Sequence, residues 1–128
     1  MLNDIWKKVY DAARKVVNPK KISEQVYSGG VGAAVLTKNG NIYTGVNVDT
    51  DCSLGMCAER NAISTMITNG EFEIKMVAAV NKKGQVLPPC GACREFMMQL
   101  KNSKDIEILV DNNGTIVKLK DLMPYAYS

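Results

Sequence analysis

The sequence predicts an α/β protein, a three-layer α/β/α sandwich around a mixed five-stranded sheet, as one domain spanning residues 1–128. Three observations predict it. Apolar residues gather in short runs of strand length, separated by stretches with helical period. In the second half, strands alternate with helices, which requires crossovers onto a shared sheet covered on both faces. With 46% hydrophobic and 23% charged residues, 128 residues suffice for one core but not for two.

The elements follow in order. Residues 4–17 form an amphipathic helix, with Ile5, Val9, Ala12, Ala13, Val16 and Val17 at helical spacing and Asn3 or Asp4 as cap. Asn18-Pro19 ends it, because the residue before proline is pushed out of the helical region. Lys20 to Gly30 reads as a loop. Val31–Thr37 and Asn41–Val48 are strands flanking Lys38-Asn39-Gly40, where Asn-Gly is a strong hairpin signal. After the polar connector Asp49–Gly55, Cys57–Asn69 is a helix with Ala58, Ala62, Ile63, Met66 and Ile67 turned inward. Gly70 stops it, since glycine adopts the left-handed cap without strain. Ile74–Val80 is a buried strand, Gly91–Leu100 a helix with Phe96, Met97 and Leu100 facing in, and Ile106–Val110 and Thr115–Leu119 are the last two strands. The tail Asp121–Ser128 carries Tyr125 and Tyr127.

Composition narrows the function. The net charge of +3 comes from lysines scattered as pairs, Lys7-Lys8, Lys20-Lys21 and Lys82-Lys83, with no basic stripe interleaved with aromatics. That pattern is expected of solvated faces and argues against a nucleic-acid partner. No apolar run approaches the roughly 20 residues that span a bilayer, so no membrane partner is expected. The N-terminus lacks the marks of a signal peptide, which makes the cytoplasm the expected compartment. There are four cysteines and no histidine, so acid–base work near neutral pH falls to a carboxylate, a thiol, a tyrosine or a metal-bound water.

Two short stretches 33 residues apart carry the chemistry: Cys57-Ala58-Glu59-Arg60 and Pro88-Pro89-Cys90-Gly91-Ala92-Cys93-Arg94. Cysteines at tight spacing in a reducing compartment point to ligands or catalysts. Cys90-x-x-Cys93 puts two sulfurs on one side of a first helical turn, and Cys57 starts the other helix. Unsatisfied N–H groups at helix starts favour thiolates. If both helices follow neighbouring strands, Cys57, Cys90 and Cys93 converge on one ion, and zinc (Zn2+) suits three soft sulfurs with a fourth position left open. Arg60 and Arg94 stand beside the ligands, placed to donate hydrogen bonds to sulfur and offset its charge, or are plain surface cations. Glu59 is the carboxylate that would carry the proton of a metal-activated water, or a first-turn glutamate serving the helix dipole. Two other readings stay open: a closed structural zinc site using Cys52 as fourth ligand, and a redox pair formed by Cys90 and Cys93 alone.

These stretches, together with Val31-Gly32-Ala33-Ala34-Val35, Gly45-Val46-Asn47 and Leu122-Met123-Pro124, resemble the cytidine deaminase superfamily in its small, three-cysteine form. The likeness runs from about Val31 to Tyr127. It implies zinc-dependent hydrolysis of the exocyclic amine of a cytosine nucleoside such as cytidine or deoxycytidine, with Glu59 in the place of the family's proton-carrying glutamate. It also implies that the backbone around Ala58 holds the ring's polar edge. A homotetramer with shared sites is implied as well, giving Tyr125 and Tyr127 a neighbour's pocket to reach.

The departures lie at the substrate end. The family's aromatic before the Val-Gly-Ala-Ala stretch is replaced by Gly29-Gly30, leaving Tyr27 as a displaced candidate, and the sugar-recognising Asn-x-Glu is Asn47-Val48-Asp49. The blasticidin S deaminases share the cysteines and the glutamate and also lack that aromatic. A pocket opened at Gly29-Gly30 would suit their bulkier substrate, which makes them the alternative. A non-catalytic deaminase-fold subunit is the third reading.

Overall fold

The computed structural model describes residues 2–127. Helix α1 (Asp4–Lys15) is capped by the Asn3 side chain, which accepts from the Trp6 N–H at 3.0 Å. Strands β1 (Lys20–Lys21), β2 (Val26–Thr37) and β3 (Ile42–Thr50) follow, then helix α2 (Ala58–Thr68), strand β4 (Ile74–Asn81), helix α3 (Gly91–Met98), and strands β5 (Glu107–Leu109) and β6 (Ile116–Lys118). The strands lie in the order β1-β2-β4-β5-β6, with β3 also paired to β2. Only β4 and β5 run parallel, so the sheet is mixed as expected.

The sheet has six strands where the sequence predicts five. The extra pairing lies in Lys20 to Gly30, read from sequence as a loop. There Lys20 and Lys21 pair with Ser28 and Tyr27, and β2 starts at Val26. Gly29 makes this possible. Its φ of +84° lets the strand bulge between Ser28 and Gly32, and a Cβ there would collide with the Asn18 backbone, whose N–H donates to the Gly29 carbonyl at 2.8 Å. The glycine pair that looked like a loop signal is a bulge inside a long strand.

Alternation along β2 separates two apolar layers. Ala34 and Leu36 point to one face and pack with Trp6, Val9 and Ala13 of α1, while Ala33 and Val35 point to the other and pack with Ala62, Ile63, Met66 and Met97 of α2 and α3. Helix α2 lies so close to β3 that a Cβ on Gly45 would strike the Ala62 amide. Three inward assignments are corrected. Ile5 is 36% exposed while Trp6 anchors α1; Ile67 (38%) and Phe96 (39%) face outward, with Met98 buried in place of Phe96. A helix turns about 100° per residue, so an apolar residue one step past the stripe leaves the core.

Candidate active site

Both ligand-bearing helices start at the same side of the sheet. The connector after β3 is stitched back to it by paired backbone bonds between Val48 and Met56, at 2.9 and 2.8 Å. The segment after β4 is held likewise: Val86 bridges to Val80, and the Leu87 N–H donates to the Ala79 carbonyl at 2.9 Å. Each stitched segment ends in a cysteine at a helix N-cap, Cys57 for α2 and Cys90 for α3. Neither side chain caps its own helix. Instead the Cys57 and Cys90 sulfurs lie 3.4 Å apart, and with Cys93 Sγ all three fall within 4.8 Å of one another.

That triangle fits zinc. Tetrahedral zinc with Zn–S bonds of about 2.3 Å requires sulfurs about 3.8 Å apart, and three soft ligands leave one position open. Burial pushes the Cys93 thiol well up, with the nearby Glu59 charge and the neighbouring sulfurs adding to it. For Cys90, burial opposes the thiolate but N–H donors of Cys93 and Ala92 and the adjacent thiols outweigh it, and the pKa falls. Cys52 is exposed, bonds to the Thr50 hydroxyl at 3.3 Å and takes no part in the triangle. The four-cysteine reading therefore finds no support in the geometry. A redox pair formed by Cys90 and Cys93 alone leaves Cys57 unexplained at 3.4 Å.

Glu59 shares the inner face of α2 with Ala62, Ile63 and Met66, and only 5% of it is exposed. Burial pushes its carboxyl above the ordinary range, against the pull of its own backbone N–H and the Arg60 charge. The two arginines part company. Arg60 Nη2 donates to Cys57 Sγ at 3.8 Å, as expected. Arg94 does not reach sulfur: its Nε donates to the Pro89 carbonyl at 2.8 Å and its Nη1 to the Leu122 carbonyl at 3.4 Å. One residue past a buried ligand, its side chain leaves the helix toward the tail and ties the ligand segment to it.

A cavity of about 450 Å³ opens against this centre, lined among others by Val31, Asn47, Asp49, Ala58, Glu59 and Leu87, with Cys57 and Cys90 at its inner end. Asn47 is fixed at both ends of its amide: Oδ1 accepts from the Val31 N–H at 2.9 Å and Nδ2 donates to Asp49 Oδ2 at 3.1 Å. Of the tyrosines among the candidate site residues, none lines this chain's own cavity. Tyr27 stands opposite Asp49 on the β2–β3 ladder but is 55% exposed and does not line the cavity. Tyr125 and Tyr127 extend into solvent. Nor do Gly29 and Gly30 open the cavity: the Asn18 backbone fills the space beside Gly29, and Gly30 lines a separate groove with Pro19, Lys82 and Lys83. Leu87, Met56 and Ser53 are wall residues that the motifs did not indicate. For Leu87 a signal existed, namely its place next to buried Val86 in an extended stretch three residues before a ligand.

Residues 7–109, which include all three ligand cysteines and Glu59, match the sequence model of the cytidine and deoxycytidylate deaminase zinc-binding region. The chain belongs to this family. The match places the cytidine deaminase-like chain among zinc-dependent aminohydrolases. It is 32% identical to a cytidine deaminase of Sporosarcina psychrophila over 92% of each chain. It is also 31% identical to a blasticidin-S deaminase of Bacillus cereus, over 77% of this chain and 76% of that one. Its fold is similar to the crystal structure of cytidine deaminase from Mycobacterium tuberculosis, with a TM-score of 0.79, 28% identity and 99% of both chains covered.

Proposed function

We propose that this deaminase-family chain, as a single domain, hydrolyses the exocyclic amine of a cytosine nucleoside to a uracil-type product and ammonia. The observation that carries the proposal is Glu59: a buried carboxyl lining the cavity, two residues past a cysteine of the sulfur triangle, with no salt bridge to it among the described residues. Cys57, Cys90 and Cys93 would hold the metal, and zinc bound there would supply the Lewis acidity that lowers the pKa of water. Glu59 accepts the proton from the attacking water and passes it to ring N3. It then transfers the second proton to the amine, which leaves as ammonia while C4 becomes a carbonyl. The raised pKa suits both halves of this task, since the group must take a proton and give it back. Arg60 offsets the charge of the thiolates through its bond to Cys57. The Ala58 backbone holds the ring edge, and the braced Asn47–Asp49 pair receives the sugar hydroxyls.

The same proposal includes a homotetramer, in which Tyr125 and Tyr127 reach a neighbouring subunit's site. Their exposure supports this: Met123 and Ala126 pack on the core of their own chain while both tyrosines stay turned away from it. Four free thiols suit the reducing cytoplasm. A cytosine nucleoside with a larger substituent, of the blasticidin S kind, is the second reading. It is favoured by Asp49, which lines the cavity and is a methylene shorter than the family's glutamate, leaving more room beside it.

Ammonia release from cytidine, deoxycytidine, cytosine and blasticidin S, assayed side by side on zinc-loaded protein, tests the proposal. Turnover of a nucleoside but not of free cytosine is expected. Inactivity on all four with zinc bound would remove it.

A further inference from the structure

A ring must be held flat in this cavity, yet within a single chain none of the eight aromatic residues lines it. Two aliphatic side chains take the position instead. Strand residues alternate between faces, and Val86 is buried on the α1 side of the sheet, so Leu87 points to the opposite face, where the cavity lies. Val31 points the same way: it packs against the cluster under α2 and α3 and also lines the cavity. Val31 is paired across from Asn81, and Leu87 is bonded to Ala79 on the other edge of the same strand. The two side chains therefore flank β4. With strands about 4.8 Å apart and their partners on β4 two residues, about 7 Å, apart along the strand, the two positions stand roughly 12 Å from each other. The start of α2 packs on this same face, and its Ala58 and Glu59 line the cavity together with Cys57 and Cys90 of the sulfur triangle.

We infer that Leu87, with Val31, is the base-holding platform of this enzyme and sets its affinity for the heterocycle in place of an aromatic side chain. The inference rests on the proposed deaminase function. Leu87 is the better probe, because it is fixed only by backbone bonds to β4 and is only partly buried, whereas Val31 also packs on the core. Its contribution is dispersion and exclusion of water on the ring face, which are present equally in ground and transition states. The platform therefore controls KM and product affinity and leaves kcat alone.

The test is a graded series, Leu87→Met, Leu87→Val and Leu87→Ala, with Tyr125→Ala and Tyr127→Ala as companions. Zinc content, cytidine kinetics and uridine binding by calorimetry are measured on each. We expect Leu87→Ala to raise KM and the uridine Kd about tenfold, Leu87→Val to fall between, and Leu87→Met to stay near wild type, with kcat held within about twofold throughout. The Val and Met variants retain most of the side chain, so the ordering can be read even if the alanine variant folds poorly. Unchanged KM and Kd across the series in an active enzyme would overturn the platform alone. So would a rise confined to the tyrosine variants, which would place ring recognition on a neighbour's tail. A zinc-loaded wild type inactive on every nucleoside would instead remove the proposed function, and the platform with it.

Discussion

The two ends of α2 treat a glutamate in opposite ways. Glu71, just past the C-terminal end, accepts from the Tyr43 hydroxyl at 2.7 Å and the Asn41 amide at 2.8 Å, and these bonds hold its carboxyl below the ordinary range. Glu59, in the first turn, is buried deeper, and burial drives its carboxyl upward. The first environment stabilises a charge and fixes a loop. The second leaves a buried acid without side-chain donors, an arrangement unfavourable to folding and useful for moving protons. Function lies at the end where the local rules of stability are broken.

The comparison breaks most completely if the N-terminal end can be dismantled without consequence. Cys93→Ala is expected to abolish zinc binding and reduce turnover to background, since two sulfurs no longer close the site; metal analysis and ammonia release check both. Cys52→Ser, five residues before Cys57 but outside the triangle, should leave both readouts unchanged. Arg60→Ala should weaken zinc affinity about 10- to 100-fold, measured by chelator competition, because it removes the bond to Cys57 Sγ. Arg94→Ala, whose bonds go to backbone carbonyls, should lower thermal stability more than zinc affinity.

Metal-free protein sharpens the contrast through pH. The folded Glu59 carboxyl lies above its ordinary value of 4.5, so its contribution to stability is present below that value and lost as pH rises through the folded pKa. Glu59→Gln should therefore melt higher than wild type at pH 7, with the gap closing as the solution is acidified toward pH 4.5. Glu71 is the mirror case. Its folded pKa is depressed, so its contribution is present above 4.5 and lost as pH falls through the folded value. Glu71→Gln should melt slightly lower than wild type at neutral pH and equal to it in strong acid. This is the smallest of the expected effects, because the site is solvent-screened.

The same contrast explains what the sequence made legible. The metal centre was readable because Cys90-x-x-Cys93 spacing brings two sulfurs to one helical turn, and Cys57 joins them once both helices start from neighbouring segments of the sheet. Glu59 was readable because it stands two residues past Cys57, and the structure then places it on the buried stripe of Ala62, Ile63 and Met66. The cavity wall was not readable in the same way. Leu87 reaches it through pairing with a distant strand, and Gly29 looked like a loop residue until the Asn18 backbone was seen to occupy the space beside it. Arg94 looked equivalent to Arg60 by sequence, yet one turns to sulfur and the other to the tail, a difference set by tertiary packing. Periodicity records local geometry, whereas substrate walls are made from contacts far apart in the chain.

The central claim is that Glu59 moves the protons and the cysteines hold the metal, as separable roles. Zinc content and ammonia release from the preferred nucleoside, measured together on wild type and Glu59→Gln, test it most directly. The account predicts one zinc per chain in both proteins and a loss of about 10²- to 10⁴-fold or more in turnover for the variant. Turnover retained in zinc-loaded Glu59→Gln would contradict it.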